Sequence, residues 1–262
     1  MSRTSGSLTG PLAGQRVVVT RSEEQNAAFA QALEAAGAVP ILCPTIAVVA
    51  LGVPTFRREV EALQPDDWLL FTSTNAVRFF FQQATAHGMD AEIVACIQVA
   101  AVGRATADAL CEHGCTVDAM PAAFTGVELA ATLAQQTGGT LDGRRALLPR
   151  SSIGRAEIVH ALAAAGAQVT DLAIYDTVAV EPPPATRALI RNGVDIVTFT
   201  SPSTVNNFFA AIPPAHIGDA KIAVIGPTTG EAVRTWGLEV DMMPAEYTMQ
   251  GLLRAISRQI QR

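Results

Sequence analysis

Two stretches of this chain follow one plan. DWLLFTSTNAVRFFF, from Asp67, opens on an apolar run suited to a buried strand, breaks into short hydroxyl residues, and resumes with apolar residues at helical spacing. DIVTFTSPSTVNNFF, from Asp195, repeats that plan with small changes. A strand that passes directly into a helix cannot return as a hairpin, so its next strand lies parallel after a crossover. The alternation continues elsewhere: apolar runs bounded by turn signals predict strands near 16–20, 39–43, 67–72, 98–102, 115–118, 145–149, 168–174, 194–199, 221–225 and 238–242. The expected fold class is α/β with parallel sheets. In the first unit Ser22 is placed to cap a helix, with Gln25 three residues on and Gly37 as its stop.

The repetition extends further. RVVVTRSEEQ from Arg16 is answered by RALLPRSSIG from Arg145, AVGRATADAL from Ala101 by VIGPTTGEAV from Val224, and MPAAFT from Met120 by MPAEYT from Met243. We read this as an internal duplication yielding two similar domains. Two segments read as linkers, CPTIAVVALGVP from Cys43 and YDTVAVEPPP from Tyr175. If the chain crosses at both, a continuous domain spans 50–173, a discontinuous one joins 1–45 to 177–262, and the linkers cover about 44–52 and 174–184. A plain split near residue 140 fits the repeats equally.

At 262 residues with 49% apolar content, the chain can bury one large core or two smaller ones. A formal charge of -6, from 18 basic and 24 acidic residues, gives no ground for a nucleic-acid partner or an anionic membrane. MSRTSGSLTGPLAG lacks a secretory core, and its polar length is too short for a DNA-binding headpiece. The expected setting is cytoplasmic, without a membrane span. Four cysteines, Cys43, Cys96, Cys111 and Cys115, show no disulfide framework. CEHGC brings Cys111, His113 and Cys115 into one turn, but no second ligand pair follows, so a helix end with buried thiols is the better reading and no metal is expected.

Ligands of open parallel sheets sit beyond the carboxyl ends of the strands. Those ends carry Thr20, Arg21 and Ser22; Thr72, Ser73, Thr74 and Asn75; Gly103, Arg104 and Thr106; Pro149, Arg150 and Ser151; Thr200, Ser201 and Ser203; and Gly226, Thr228 and Thr229. Helix N-terminal amides and short hydroxyls can hold carboxylates or phosphates without net positive charge. For any one of these residues, simple capping is the plainer account. No G-x-S-x-G, no phosphate loop and no dinucleotide glycine pattern occurs, and the scattered histidines read as structural. Tyr175, one of 2 tyrosines, leaves a strand for the second linker. A phenol of unperturbed pKa about 10 is a proton donor rather than a base at neutral pH.

VVVTRSEEQ, DWLLFTSTNAV, AVGRATA, AIYDTV, VTFTSPSTV and AVIGPTTGEAV, in this order over residues 15–258, resemble the uroporphyrinogen-III synthase family. The resemblance implies two flavodoxin-like domains on a two-segment linker, with substrate in the cleft between them. It implies cyclisation of the linear tetrapyrrole hydroxymethylbilane to uroporphyrinogen III, with loss of water, inversion of the last pyrrole ring and no cofactor. Tyr175 matches the tyrosine that assists departure of the hydroxyl. Thr228 matches a threonine linked to activity, and Thr72, Ser73, Thr106, Ser201 and Lys221 match binding positions. The strand-end residues Arg21, Arg104, Arg150 and Thr229 complete the expected carboxylate-binding set. Thr74, Ser22, Ser151 and Ser152 depart from residues common in the family. A monomer is expected, and the competing expectation is a two-domain small-ligand binding module without catalysis.

Overall fold

The computed structural model describes residues 9–90, 94 and 96–261, apart from the side chains of Glu24 and Gln25. In chain order the strands are β1 (Arg16–Val19), β2 (Val39–Leu42), β3 (Ile46–Ala50), β4 (Trp68–Phe71), β5 (Gln98–Ala101), β6 (Arg145–Ser151), β7 (Gln168–Ala179), β8 (Ile196–Phe199) and β9 (Lys221–Val224). The helices are α1 (Glu23–Ala35), α2 (Phe56–Glu61), α3 (Thr74–Ala86), α4 (Arg104–Glu112), α5 (Gly126–Gln136), α6 (Glu157–Ala164), α7 (Pro184–Arg191), α8 (Pro202–Ala211), α9 (Pro227–Thr235) and α10 (Met249–Ile260). The chain divides into two compact units, one comprising the sequence up to Val48 and from Val178 onward, the other Val49–Thr177.

The discontinuous unit is built on a sheet of order β2-β1-β8-β9 whose pairings are all parallel. Strand residues alternate between two cores. Val18, Val197, Phe199, Ile222 and Val224 pack with Phe208 and Val233 of α8 and α9, while Val17, Val19, Ile196 and Ala223 pack with Phe29, Leu33, Leu252 and Ile256 of α1 and α10. Burial on both faces explains why these strands read as unbroken apolar runs.

The continuous unit has the order β3-β7-β6-β4-β5. One face of β4 carries Trp68 and Leu70, which pack with Leu129 and Leu133 of α5 and Leu162 of α6. On the other face Phe71 meets Phe80 of α3 edge-on at 5.3 Å, and Phe80 meets Phe56 of α2 at 5.1 Å. The series β7-β6-β4-β5 mirrors β2-β1-β8-β9, so RALLP on β6 occupies the place that RVVVT holds on β1, and DWLLF on β4 the place of DIVTF on β8.

Three local expectations need correction. The segment 238–242 contributes a single bridge, Ala223 to Met242, rather than a strand, and 115–118 contributes none, the bridge from Ala100 falling on Ala119 just beyond it. TIAVVA, read as linker, forms β3. The Leu51 N–H donates to the Ile174 carbonyl and the Val180 N–H to the Thr45 carbonyl, so β3 runs antiparallel to the end of β7. Ser22 takes the N-cap position of α1, yet its hydroxyl makes no capping bond and is buried without a partner. The Gln25 side chain, the other half of that expected cap, lies outside the described residues.

Candidate active site

In the continuous unit the apolar strand β4 ends at Phe71, and Thr72 and Ser73 follow at its carboxyl edge. Ser73 is the N-cap of α3, in extended backbone, and its hydroxyl accepts from the Ala76 N–H at 3.1 Å. That bond satisfies one of the helix's unpaired donors and holds the hydroxyl at the helix's positive end. Tyr175 reaches the same point from β7. Opposite β6 the register slips, with Arg150 facing Ala173 and Ser151 facing Tyr175, so Ile174 is the extra residue of a bulge. Such a bulge bends the strand and redirects a side chain.

The two hydroxyl oxygens, Ser73 Oγ and Tyr175 Oη, are 3.0 Å apart, and either can donate. The phenol ring is stacked on Phe79 at 5.2 Å between centroids, and the Arg78 guanidinium carbon stands 4.3 Å from the centre of the Phe79 ring. Tyr175 is only 7% exposed. The hydroxyl is thus held from two sides, by a helix cap and by ring packing.

A cavity of about 530 Å³ opens here, lined among others by Thr72, Ser73, Phe124, Val127, Arg150 and Tyr175. Arg150 is committed within the protein. Its Nε donates to Asp171 Oδ1 at 2.5 Å, a second nitrogen pairs with Asp171 Oδ2, and Nη1 donates to the Arg155 carbonyl at 2.9 Å. The bond to Asp171 raises the guanidinium pKa further, against the opposing effect of burial. A Cβ on Gly154 would come within 2.5 Å of Arg150 Nη1, so the glycine leaves room for the clamp. Arg104 and Thr106 lie in the first turn of α4, behind the N-cap Gly103, with Arg104 exposed and Thr106 buried.

The discontinuous unit repeats the arrangement at its own strand ends. Ser201 caps α8 with a reciprocal capping box, its hydroxyl accepting from the Thr204 N–H at 3.3 Å, and Ser203 Oγ stands 3.0 Å from Ser201 Oγ. Its backbone angles (φ -159, ψ 158) match those of Ser73 (φ -159, ψ 157). Gly226 is the N-cap of α9, with Thr228 and the buried Thr229 in the first turn. Thr20 donates to the Thr198 carbonyl at 2.8 Å, and Thr45 to the Thr20 carbonyl at 3.2 Å. Arg21 follows Thr20, and burial lowers its pKa.

Lys221 is not brought to either set of strand ends. It is the first residue of β9, its N–H bonded to the Asp195 carbonyl, at the amino edge of the sheet. There it lines a separate cavity of about 560 Å³ with Gln15, Arg191, Asp195 and Asp219. In open parallel sheets that edge is opposite the ligand-binding one. His113, at the end of α4, stacks on Phe81 at 4.1 Å, and among the described residues no group of three His, Cys, Asp or Glu side chains is placed to hold a metal. Among them, too, no helix is long and apolar enough to cross a membrane.

Sequence reading overlooked Asp171 and Phe124. Asp171 meets Arg150 through a neighbouring strand, so no local spacing reveals it. Phe124 had a signal, the aromatic shared by MPAAFT and MPAEYT.

The family model described as Uroporphyrinogen-III synthase HemD matches residues 27–254. A uroporphyrinogen-III synthase of Synechococcus elongatus is 32% identical over 262 residues, covering 95% of this chain and 96% of the relative. One of Chlorobaculum parvum is 30% identical over 246 residues, covering 92% and 97%. Among solved structures, a mutant uroporphyrinogen III synthase of Thermus thermophilus superposes with a TM-score of 0.57 at 26% identity, covering 95% of this chain and 99% of that one.

Proposed function

Because the chain belongs to the uroporphyrinogen-III synthase family, we propose that it cyclises hydroxymethylbilane to uroporphyrinogen III as a lyase, with loss of water. Family membership sets aside the binding module without catalysis. In the reaction the terminal hydroxyl leaves to give an azafulvene. That electrophile is attacked by the substituted carbon of the last pyrrole, and the resulting spiro intermediate fragments and recloses with that ring inverted.

The observation that carries the residue roles is the contact of Tyr175 with Ser73. Ser73 Oγ already accepts from the Ala76 N–H. When Ser73 also donates to the phenol oxygen, the phenol proton is free for a third partner, the state that a proton donor to a departing hydroxide needs. Electron-rich pyrroles expel hydroxide readily, so one weak acid is enough, and the larger task is to hold the chain folded for the inverted closure.

The substrate's carboxylates suit the strand-end donors of each unit. In the continuous unit these are Thr72, Ser73, Thr106 and Arg104. In the discontinuous unit they are Arg21, Ser201, Thr228 and Thr229. Arg150 serves indirectly, bracing the β6 end through Asp171. Lys221 is left out of the set because it lies at the other edge of its sheet.

The test is to incubate purified protein with freshly prepared hydroxymethylbilane and resolve the oxidised products. Isomer III in excess is expected. Isomer I alone, the product of unaided closure, would overturn the reading.

A further inference from the structure

Phe124 stands out on three counts. It is the one described non-glycine residue with positive φ, at 49°, and it is 58% exposed. A bulky side chain in that region is a steric outlier, and burial of the ring gives no compensation. Its ring edge nonetheless has a fixed place, 3.8 Å from where a Cβ on Gly103 would stand, beside the start of α4. With Val127, itself 51% exposed, it forms an apolar wall of the cavity that also holds Ser73 and Tyr175.

The discontinuous unit shows the same device independently. Tyr247 occupies the matching place in MPAEYT and is 60% exposed. Its ring lies against Gly226 at the start of α9, with Cγ 3.4 Å from the ideal Cβ position. In both units an exposed aromatic is followed by a threonine that caps the next helix, Thr125 for α5 and Thr248 for α10.

A cavity with hydroxyls on one side and an exposed aromatic on another suits a ligand with a flat π body and anionic arms. Resting on the reading above, we propose that Phe124 is a positioning residue whose ring packs against a pyrrole of the tetrapyrrole substrate, and that Tyr247 offers the equivalent surface in the other unit. Aromatic pairs prefer offset or edge-to-face contact and add attraction beyond the area they bury. The platform would fix the orientation of a ring while the donors hold its carboxylates.

Phe124→Gly provides the test, because glycine accepts φ 49° without strain and removes the ring without burdening the fold. With hydroxymethylbilane, KM is expected to rise about tenfold while kcat changes by less than about threefold and the unfolding temperature does not fall. Phe124→Tyr should restore KM, and Phe124→Leu should restore it less. A KM for Phe124→Gly within twofold of the parent, or equal recovery by Leu and Tyr, would overturn the stacking role. The same proteins are titrated with uroporphyrin III by fluorescence, where Phe124→Gly is expected to bind about tenfold more weakly. If the parent makes isomer I alone, the synthase reading fails, and the uroporphyrin titration still decides the platform: unequal affinities support it and equal ones reject it.

Discussion

Replacing Tyr175 by Phe removes one oxygen and little else. The ring keeps its stacking on Phe79 at 5.2 Å, and Ser73 keeps its capping bond from the Ala76 N–H at 3.1 Å. Only the 3.0 Å hydroxyl contact disappears, from a residue 7% exposed. A net hydrogen bond of this kind is worth about 1 kcal/mol, or an unfolding temperature lowered by about 2–4 °C for a chain of this size. The effect on chemistry should be larger. General acid catalysis contributes about 10²–10⁴-fold where a leaving group needs help. Assisted ionisation by the pyrrole lowers that need, so kcat is expected to fall about 10- to 100-fold, equivalent to about 1.4–2.7 kcal/mol, with KM within about twofold. Ser73→Ala should lose about 1 kcal/mol of stability with its cap and also lower kcat, since the phenol then loses the partner that frees its proton. In a double-mutant cycle on kcat, the paired variant should lose less than the sum of the two single losses. Steady-state turnover and thermal unfolding on the same preparations decide the matter. Unchanged kcat in Tyr175→Phe, or strictly additive losses, would refute the reasoning.

Four further outcomes follow from the structure. Gly126→Ala should destabilise the protein by about 1–3 kcal/mol in denaturant unfolding, because the new Cβ would fall 2.7 Å from the Cβ of Ile158, an atom that no rotamer can withdraw, so α5 and α6 must separate. Lys221→Ala should leave kcat/KM within about twofold, since the side chain lies at the amino edge of its sheet, and a tenfold loss would return it to the site. Burial raises the Cys43 thiol from its ordinary 9.0 to about 12. A raised folded-state value leaves stability intact below pH 9 and erodes it as pH climbs toward 12. Unfolding free energy should therefore decline more steeply over that window in the parent than in Cys43→Ala, while a thiol reagent at neutral pH labels the exposed Cys96 and Cys111 before the buried Cys43 and Cys115.

The layered α/β plan is readable because parallel strands buried on both faces, such as the all-buried Trp68–Phe71 and Ile196–Phe199, leave uninterrupted apolar runs before hydroxyl-rich breaks. Ser73 and Ser201 declare their capping roles for the same reason: each stands where an apolar run stops and a helical period begins. β3 escapes the reading because TIAVVALGVP ends in glycine and proline, which resemble a linker, and its partner is the far end of β7, more than a hundred residues away. The segments at 115–118 and 238–242 have strand-like composition, but the only bridges there fall on Ala119, just past the first, and on Met242 in the second. The Arg150–Asp171 pair depends on cross-strand register near a bulge, which local sequence does not encode. Lys221 is a contrary case. It precedes the apolar run of β9, so its amino-edge position is legible from the residues, and likeness to a family pulls against that reading.

The order in which the strands are made bears on how this protein reaches its native state. Every strand from β4 to β6 lies within Val49–Thr177, so that unit's sheet can assemble while the ribosome is still working. β1 and β2 emerge earlier but need β8 and β9, which end at Val224. At about 5–20 residues per second, that delay lasts on the order of ten seconds or more. Throughout it, β1 presents an uncovered apolar edge, RVVV, of the kind that recruits other chains. The N-terminal segment is therefore the vulnerable part of the nascent polypeptide, and a chaperone or a slowed translation rate would act there, long before the rim residues have anything to bind.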